Sequence, residues 1–205
     1  MPVIRVRDDE GNTHEVHSII VKEKSGGADV EGYFDGTIKE LTLPNITSLK
    51  ANAFCNDESI VKVDIPKATE IGAYCFNNCY NLATIDMPKV TKIRTCAFSS
   101  CNKLISTDLP DDLTYIESYA FRLCNKLAIT SIPPKVTNIE IYAFISCTGL
   151  TSITFKGTPT SIANTAFNGC SNLTTINVPW ASGTVLGAPW GATNATINYN
   201  YVEEE

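Results

Sequence analysis

The chain has 205 residues, 43% of them hydrophobic and 19% charged, which is enough apolar material for one continuous core. Its formal net charge of −6 argues against nucleic acid as a partner, because that affinity comes largely from lysine and arginine neutralising phosphates. No stretch reaches the ~20 consecutive apolar residues that a membrane-spanning helix needs, so no membrane insertion is expected.

In chain order, residues 3–7 and 13–20 alternate in character around Asp8-Asp9-Glu10-Gly11-Asn12 and predict a β-hairpin with a Gly/Asn turn. Residues 22–36, with Ser25-Gly26-Gly27, predict a flexible connection, so 1–36 is expected to be an amino-terminal hairpin and its linker. The first ten residues contain no apolar core of a secretory signal, which points to another route to an outside location or to a signal removed beforehand.

Residues 37–179 are repetitive. Phe54, Phe76, Phe98, Phe121, Phe144 and Phe167 follow one another at spacings of 22, 22, 23, 23 and 23 residues, the period of a solenoid. Five residues before each phenylalanine stands an aliphatic (Leu49, Ile71, Ile93, Ile116, Ile139, Ile162), and six after it another (Ile60, Leu82, Leu104, Leu127, Leu150, Leu173). Cys79, Cys101, Cys124, Cys147 and Cys170 each lie three residues past a phenylalanine. Proline closes the apolar stretch at Pro44, Pro66, Pro88, Pro110, Pro133 and Pro179, where a residue with no amide donor and a fixed φ ends a strand. Residues 180–205 carry Gly183, Gly187, Pro189 and Gly191, then a strand-like run from 195 to 201; they are expected to cap the last coil, with Glu203, Glu204 and Glu205 in solvent.

The repeated unit, close to Leu-x-x-Ile-x-Ile-Pro-x-x-Val-x-x-Ile-x-x-x-Ala-Phe-x-x-Cys, resembles leucine-rich repeats of the BspA-like, or Treponema pallidum, type over about residues 38–179. The resemblance implies a mainly β leucine-rich-repeat solenoid, a right-handed coil with a parallel sheet and short turns or 3-10 segments, and an adhesin-like role. Asp57 stands in place of the first cysteine, Cys75 in place of alanine, Thr107 and Thr130 in place of a strand aliphatic, and Phe155-Lys156 in place of a strand end and proline. The segments 4–12 and 187–197 resemble the start and the ending of prophage tail-associated leucine-rich proteins of gut Firmicutes.

The once-per-coil cysteines are read as an inward ladder of free thiols, since parallel Cβ vectors oppose disulfide geometry between neighbouring rungs. Zinc would need converging ligand pairs, and Cys75/Cys79 and Cys96/Cys101 are four and five residues apart with no histidine nearby; no metal or other cofactor is expected. His14 and His17 are the only histidines and lie away from the cysteines, and no phosphate loop, nucleophile elbow or His-Glu-x-x-His motif is present. An enzyme is not expected.

Candidate binding residues are the outward positions of the repeated strand, which alternate with the core positions. One column reads Thr42, Asp64, Asp86, Asp108, Ser131, Thr154 and Asn177, and the other Glu40, Lys62, Thr84, Ser106, Ile129, Ser152 and Thr175. The ligand strip is assigned to Thr42, Lys62, Asp64, Thr84, Asp86, Ser106, Asp108, Ser131, Ser152, Thr154 and Asn177. Stacked Asp64, Asp86 and Asp108 repel one another unless salt or a cation screens them, but three carboxylates in a line supply too few oxygens for calcium. Trp180 and Trp190 are read either as cap core or as aromatic ligand contacts. Tyr74, Tyr115, Tyr119 and Tyr142 form a candidate patch near the Ala-Phe side, and Lys67, Lys89 and Lys135 a basic column after the prolines. The functional expectation is a noncatalytic protein that recognises a protein or glycan on a cell or matrix surface, extracellular, cell-surface or phage-particle associated. The alternatives are a phage tail or baseplate component that binds the host, and a structural spacer without ligand.

Overall fold

The computed structural model describes residues 39–105 and 108–203, together with the backbone of four short strands nearer the amino terminus. Those four are β1 (Arg5–Arg7), β2 (Thr13–Glu15), β3 (Val21–Lys24) and β4 (Gly27–Val30). The coils then supply β5 (Glu40–Thr42) and β6 (Ile46–Leu49), β7 (Lys62–Asp64) and β8 (Glu70–Ile71), and β9 (Thr84–Asp86) and β10 (Lys92–Ile93). After these come β11 (Tyr115–Ile116), β12 (Ser131–Ile132) and β13 (Asn138–Ile139), β14 (Ser152–Phe155) and β15 (Ser161–Ile162), and finally β16 (Thr175–Asn177) and β17 (Thr196–Asn198). No helix occurs among the described residues.

The described coils contribute strands to two faces. The strand before the proline joins a first face that is divided into two sheets, β2-β1-β5-β7-β9 and β12-β14-β16-β17. The strand after the proline joins a second, uninterrupted face of eight strands, β3-β4-β6-β8-β10-β11-β13-β15. Successive coils pair in parallel, as in Lys62↔Thr84 and Asp64↔Asp86, so equivalent residues stack into columns. This is the expected solenoid.

The predicted hairpin is present as β1 against β2, with Arg5 opposite Glu15; its turn and His17 lie outside the described residues. β1 also pairs antiparallel with β5, so the hairpin extends the first face. The flexible connection expected over 22–36 is corrected in part: β3 and β4 pair antiparallel there, and β4 runs parallel to β6. An edge strand with unpaired amides and carbonyls is a ready template for another strand, which outweighs the flexibility of Gly26-Gly27.

The interior is built from repeated rungs. Phe54, Phe76, Phe98, Phe121, Phe144 and Phe167 are buried and stack with ring centroids 5.1–5.4 Å apart and planes within 9°. The cysteines do more than fill space. Each thiol donates to the phenylalanine carbonyl of the preceding coil: Cys79 to Phe54 at 3.0 Å, Cys101 to Phe76 at 3.1 Å, Cys124 to Phe98 at 3.1 Å, Cys147 to Phe121 at 2.9 Å and Cys170 to Phe144 at 3.0 Å. A small, weakly polar donor suits a site that is apolar except for one spare carbonyl lone pair. In the first coil Asp57 occupies the cysteine position and instead accepts from the Ser59 amide, the Ser59 hydroxyl and the Ile60 amide, tightening its own turn. On the second face the Thr69, Thr91, Thr114 and Thr137 hydroxyls each donate to the threonine carbonyl one coil earlier.

The arc around the first five phenylalanines turns through left-handed residues two positions before and two after each, and around Phe167 only two after. Asn52, Asn56, Asn78 and Gly169 (φ 61°, 63°, 60° and 73°) suit this conformation, whereas Tyr74, Tyr119, Leu123 and Tyr142 (φ 57°, 58°, 59° and 57°) adopt it against their preference. Coil-to-coil hydrogen bonds hold them there, for example from the Tyr74 amide to Thr95 O at 2.8 Å and from the Tyr119 amide to Ile141 O at 3.2 Å.

Two further differences from the sequence reading concern the core. Ile129, assigned to an outward column, is only 3% exposed, while Thr130 faces solvent. With threonine at the place of the strand aliphatic, a small shift of the chain buries the isoleucine and spares the hydroxyl an unpaired burial. The tail forms a reduced last coil: β17 pairs parallel with β16, with Ile197 opposite Ile176, and the Phe167 amide donates to Trp190 O at 2.9 Å, where Phe76, Phe98, Phe121 and Phe144 use an alanine carbonyl and Phe54 that of Cys75. Glu203 is not simply in solvent, since its carboxylate meets the Lys156 ammonium; Glu204 and Glu205 lie outside the described residues.

Candidate functional site

The outward strip is not uniform. Its amino-terminal block brings Thr42, Asp64 and Asp86 into register in one column, and Glu40, Lys62 and Thr84 in the other. Its carboxy-terminal block aligns Ser131, Thr154 and Asn177, beside Ser152 and Thr175. Ser106 lies outside the described residues. Asn177 is 8% exposed and internally satisfied, donating to Thr154 Oγ1 at 3.2 Å and accepting from Asn198 Nδ2 at 2.8 Å. It is a rung holding the last coil in place rather than an open contact.

Both tryptophans are also in the interior. Trp190 is 0% and Trp180 5% exposed; with Phe155 they form one aromatic cluster, centroids 5.3–6.3 Å apart, and the Trp190 indole donates to Leu186 O at 2.7 Å. Of the two sequence readings, cap core is the one the structure shows, because the reduced last coil leaves an end that large rings must seal. Of the tyrosines, Tyr74 is exposed and Tyr119 and Tyr142 lie 5.2 Å apart on the arc. Tyr115 stands instead on the second face, between Lys92 and Asn138.

The thiols are poorly suited to nucleophilic chemistry, which needs thiolate. Burial pushes Cys75, Cys101, Cys124 and Cys147 well above the ordinary thiol range, and pushes Cys170 up to about 12. All eight cysteines are free, and among the described residues no three His, Cys, Asp or Glu side chains converge as metal ligands do.

β9 ends the amino-terminal sheet and β12 begins the carboxy-terminal one, and residues 106 and 107 between them lie outside the described residues. Between Phe98 and Phe121 the repeat lengthens from 22 to 23 residues. The turn Pro110-Asp111-Asp112-Leu113, closed by the Leu113 amide on Pro110 O at 2.9 Å, is the counterpart of Met87-Pro88-Lys89-Val90 one coil earlier, closed by the Val90 amide on Met87 O at 3.1 Å, and Pro110 is buried. A groove of about 580 Å³ lies on the first face beside these turns, within the roughly 300–1,000 Å³ range of ligand-binding clefts. Its floor includes Ile85, Met87 and Leu109, and its sides include Asp86, Lys89, Asp108 and Asp111. The floor stays closed, with Ile85, Met87 and Leu109 at 7%, 3% and 6% exposed.

Charges around the groove are unevenly used. Asp112 is paired with Lys135 at 2.5 Å, which holds its carboxyl below the usual range. The side chains of Asp86, Asp108, Asp111 and Lys89 make no described ion pair or side-chain hydrogen bond. At the near end, partial burial and then the charge of Asp86 raise the Asp64 carboxyl, while Lys62 partly offsets them. The second face is self-satisfied by comparison. Arg94 joins Glu70 and Glu117 at 2.8 Å each, and Glu117 also accepts from the Thr95 amide and hydroxyl.

Parallel strands stacked at the 22–23-residue period, with the Ala-Phe-x-x-Cys arc inside, match one sequence family. The profile of the BspA type leucine rich repeat region fits in six copies, over residues 31–147 and 69–187. The chain belongs to this family. Its fold is similar to the crystal structure of the T. pallidum leucine rich repeat protein, at 27% identity and TM-score 0.67 over 74% of this chain and 77% of that one. It also resembles a leucine rich cell surface protein of Faecalibacterium prausnitzii, at 26% identity and TM-score 0.63, and a leucine-rich repeat protein of Bacteroides ovatus, at 24% identity and TM-score 0.66, the latter a likeness of fold alone. This chain covers 80% of its own length in both comparisons but only 54% and 46% of theirs. No curated protein has significant sequence similarity to it.

Proposed function

We propose that this BspA-type solenoid is a noncatalytic recognition protein that binds a protein or glycan on a cell or matrix surface through its first face. The observation that carries the reading is the groove on the first face, where strip residues Asp86 and Asp108 have no described side-chain partners, whereas on the second face Arg94 is paired with Glu70 and Glu117. A rigid face ordered before binding loses little entropy on association, so many modest polar contacts sum to useful affinity. Surface placement draws support from the F. prausnitzii relative, a cell surface protein.

Labelled wild type and an Asp64→Ala/Asp86→Ala/Asp108→Ala variant, matched for fold by circular dichroism, are compared on intact gut bacteria, matrix proteins and a glycan array. Selective binding by wild type that the variant loses supports the proposal. Indifference to the substitutions, or no binding to any surface, refutes it and favours a spacer.

A further inference from the structure

We infer that the carboxy-terminal end of the solenoid is a self-association surface, on which β17 pairs antiparallel with β17 of a second copy of this chain about a twofold axis at Ile197. This surface is separate from the groove and does not depend on the recognition reading. The last strand is only half paired. In β17 the Thr196 amide donates to Thr174 O and Asn198 O accepts from the Val178 amide, both at 2.9 Å, so these residues turn their main-chain groups toward β16. Main-chain groups alternate in direction along a strand, which points the Ile197 amide and carbonyl away from β16, where neither has a partner among the described residues. The core beneath is also incomplete. Ile153 and Ile176 are 0% exposed, whereas Ile197, next in the same column, packs on the core but stays partly open, as do Ala195 and Tyr199. Leu186 and Val202, in the same end segment, are 79% and 81% exposed, more than any other large apolar side chain among the described residues. Terminal coils of solenoids need a polar outer face to stay in solution alone, and this one lacks it.

Charge singles out the same end. Residues 157–202 contain no Asp, Glu, Lys, Arg or His, although 19% of the whole chain is charged. Edge strands are ordinarily protected by charged side chains, proline or a bulge. The amino-terminal edges follow that rule, since β3 reads Val-Lys-Glu-Lys and β2 ends in Glu15, but β17, Thr-Ile-Asn, has none of these devices. Depletion of charge is the compositional mark of an interface core. It also selects the occupant. A strongly acidic or basic partner gains no ion pair here, whereas two copies of one net-negative chain avoid opposing like charges only where the surface has none. Glu203, which follows the uncharged run, is turned back to the Lys156 ammonium beside β14. A twofold at Ile197 is self-complementary: one amide and one carbonyl from each copy form two main-chain hydrogen bonds, and the two Ile197 side chains meet on the core side. With the axis perpendicular to the sheet, β12-β14-β16-β17 continues into its copy and both first faces look the same way, offering a surface ligand two sites at once.

The test is sedimentation equilibrium of the full chain over a concentration series, with disulfide trapping as a second arm. Wild type should show a monomer–dimer equilibrium in the micromolar range, as suits a contact at the small end of interface sizes, and added salt should not weaken it. Proline at 197 removes the outward amide and keeps the bonds from Thr196 and Asn198 to the neighbouring coil, so Ile197→Pro should weaken dimerisation at least about tenfold. In an antiparallel pair centred on Ile197, residue 196 of one copy faces residue 198 of the other at about 4.5 Å between Cα atoms, within disulfide reach. Mild oxidation should therefore convert Thr196→Cys/Asn198→Cys to a covalent dimer. Each single-cysteine variant should cross-link far less, because like positions lie diagonally at about 7–8 Å. Thr196 and Asn198 are exposed, so this arm decides the matter even where Ile197→Pro fails to fold. A monomer at every concentration would overturn the inference and leave the edge to a strand of another protein. A dimer that a folded Ile197→Pro leaves intact, or a double-cysteine variant that does not cross-link, would place the contact elsewhere and overturn it as well.

Discussion

Replacing Phe121 by alanine tests the interior most directly. Its ring is 0% exposed and lies between Phe98 at 5.4 Å and Phe144 at 5.2 Å, nearly parallel to both. Truncation of a buried phenylalanine costs about 3–5 kcal/mol, combining lost transfer free energy with an unfilled cavity. Neighbouring coils are held apart by their own hydrogen-bonded ladders, such as the Phe121 amide on Ala143 O at 2.7 Å, so the cavity cannot close easily and the upper part of the range applies. For a chain of this size the midpoint of thermal unfolding should fall by roughly 6–20 °C. Phe167 provides an internal control, because it stacks on Phe144 alone. Phe167→Ala should be milder by one stacking contact, about 0.5–1.5 kcal/mol. Urea unfolding followed by circular dichroism measures both variants. If Phe121→Ala unfolds at the wild-type midpoint, or if it is less costly than Phe167→Ala, the continuous phenylalanine stack does not carry the stability assigned to it.

Three other consequences follow from the packing. Thiol labelling of the native protein should be fast at no more than Cys55 and Cys96, the two partly exposed cysteines, and should reach all eight only in denaturant; rapid modification of Cys101 or Cys124 would contradict the buried ladder. Burial pushes the Glu117 carboxyl upward, but hydrogen bonds from Arg94 and Thr95 outweigh this and set it below its ordinary 4.5. A carboxyl lowered in the folded state stabilises above its unfolded pKa and loses that contribution as pH falls through the folded value. Glu117→Gln should therefore cost about 1–2 kcal/mol at pH 7, with the gap to wild type narrowing as pH drops below 4.5, and a gap independent of pH would show that the charge is idle. Gly72→Ala should destabilise by about 1–3 kcal/mol in calorimetry, since a Cβ there would lie 2.5 Å from the Leu49 carbonyl oxygen and the adjoining backbone of the neighbouring coil; a neutral result would mean that the coils can separate locally.

The repeat made most of the fold legible before any coordinates. Phenylalanine, cysteine and the flanking aliphatics recur because every coil must bury the same face against its neighbours, and a constraint applied at each turn is written into the sequence at each turn. The cysteine ladder could be read as buried, but its hydrogen bonds could not, since the acceptor of Cys124 is Phe98 O, in the preceding coil. Nor do one-dimensional columns reveal which strip residues remain available: Asn177 is enclosed by Thr154 and Asn198, and Ile129 turns inward because Thr130 occupies the aliphatic position beside it.

The sequence by itself determined the coil, its core and the direction of its stacking, because these depend on short-range alternation and on a period that every coil shares. Tertiary structure alone decided where the pattern fails. The lengthening of the repeat from 22 to 23 residues between Phe98 and Phe121 looks like a minor departure in the sequence, and only the structure shows the groove beside the Asp111-Asp112 turn. Pairing between strands about 22 residues apart is a property of two coils together, so neither coil's sequence contains it. The same reason hid the fate of Trp180 and Trp190, whose burial depends on the last coil being too small to close the core without them.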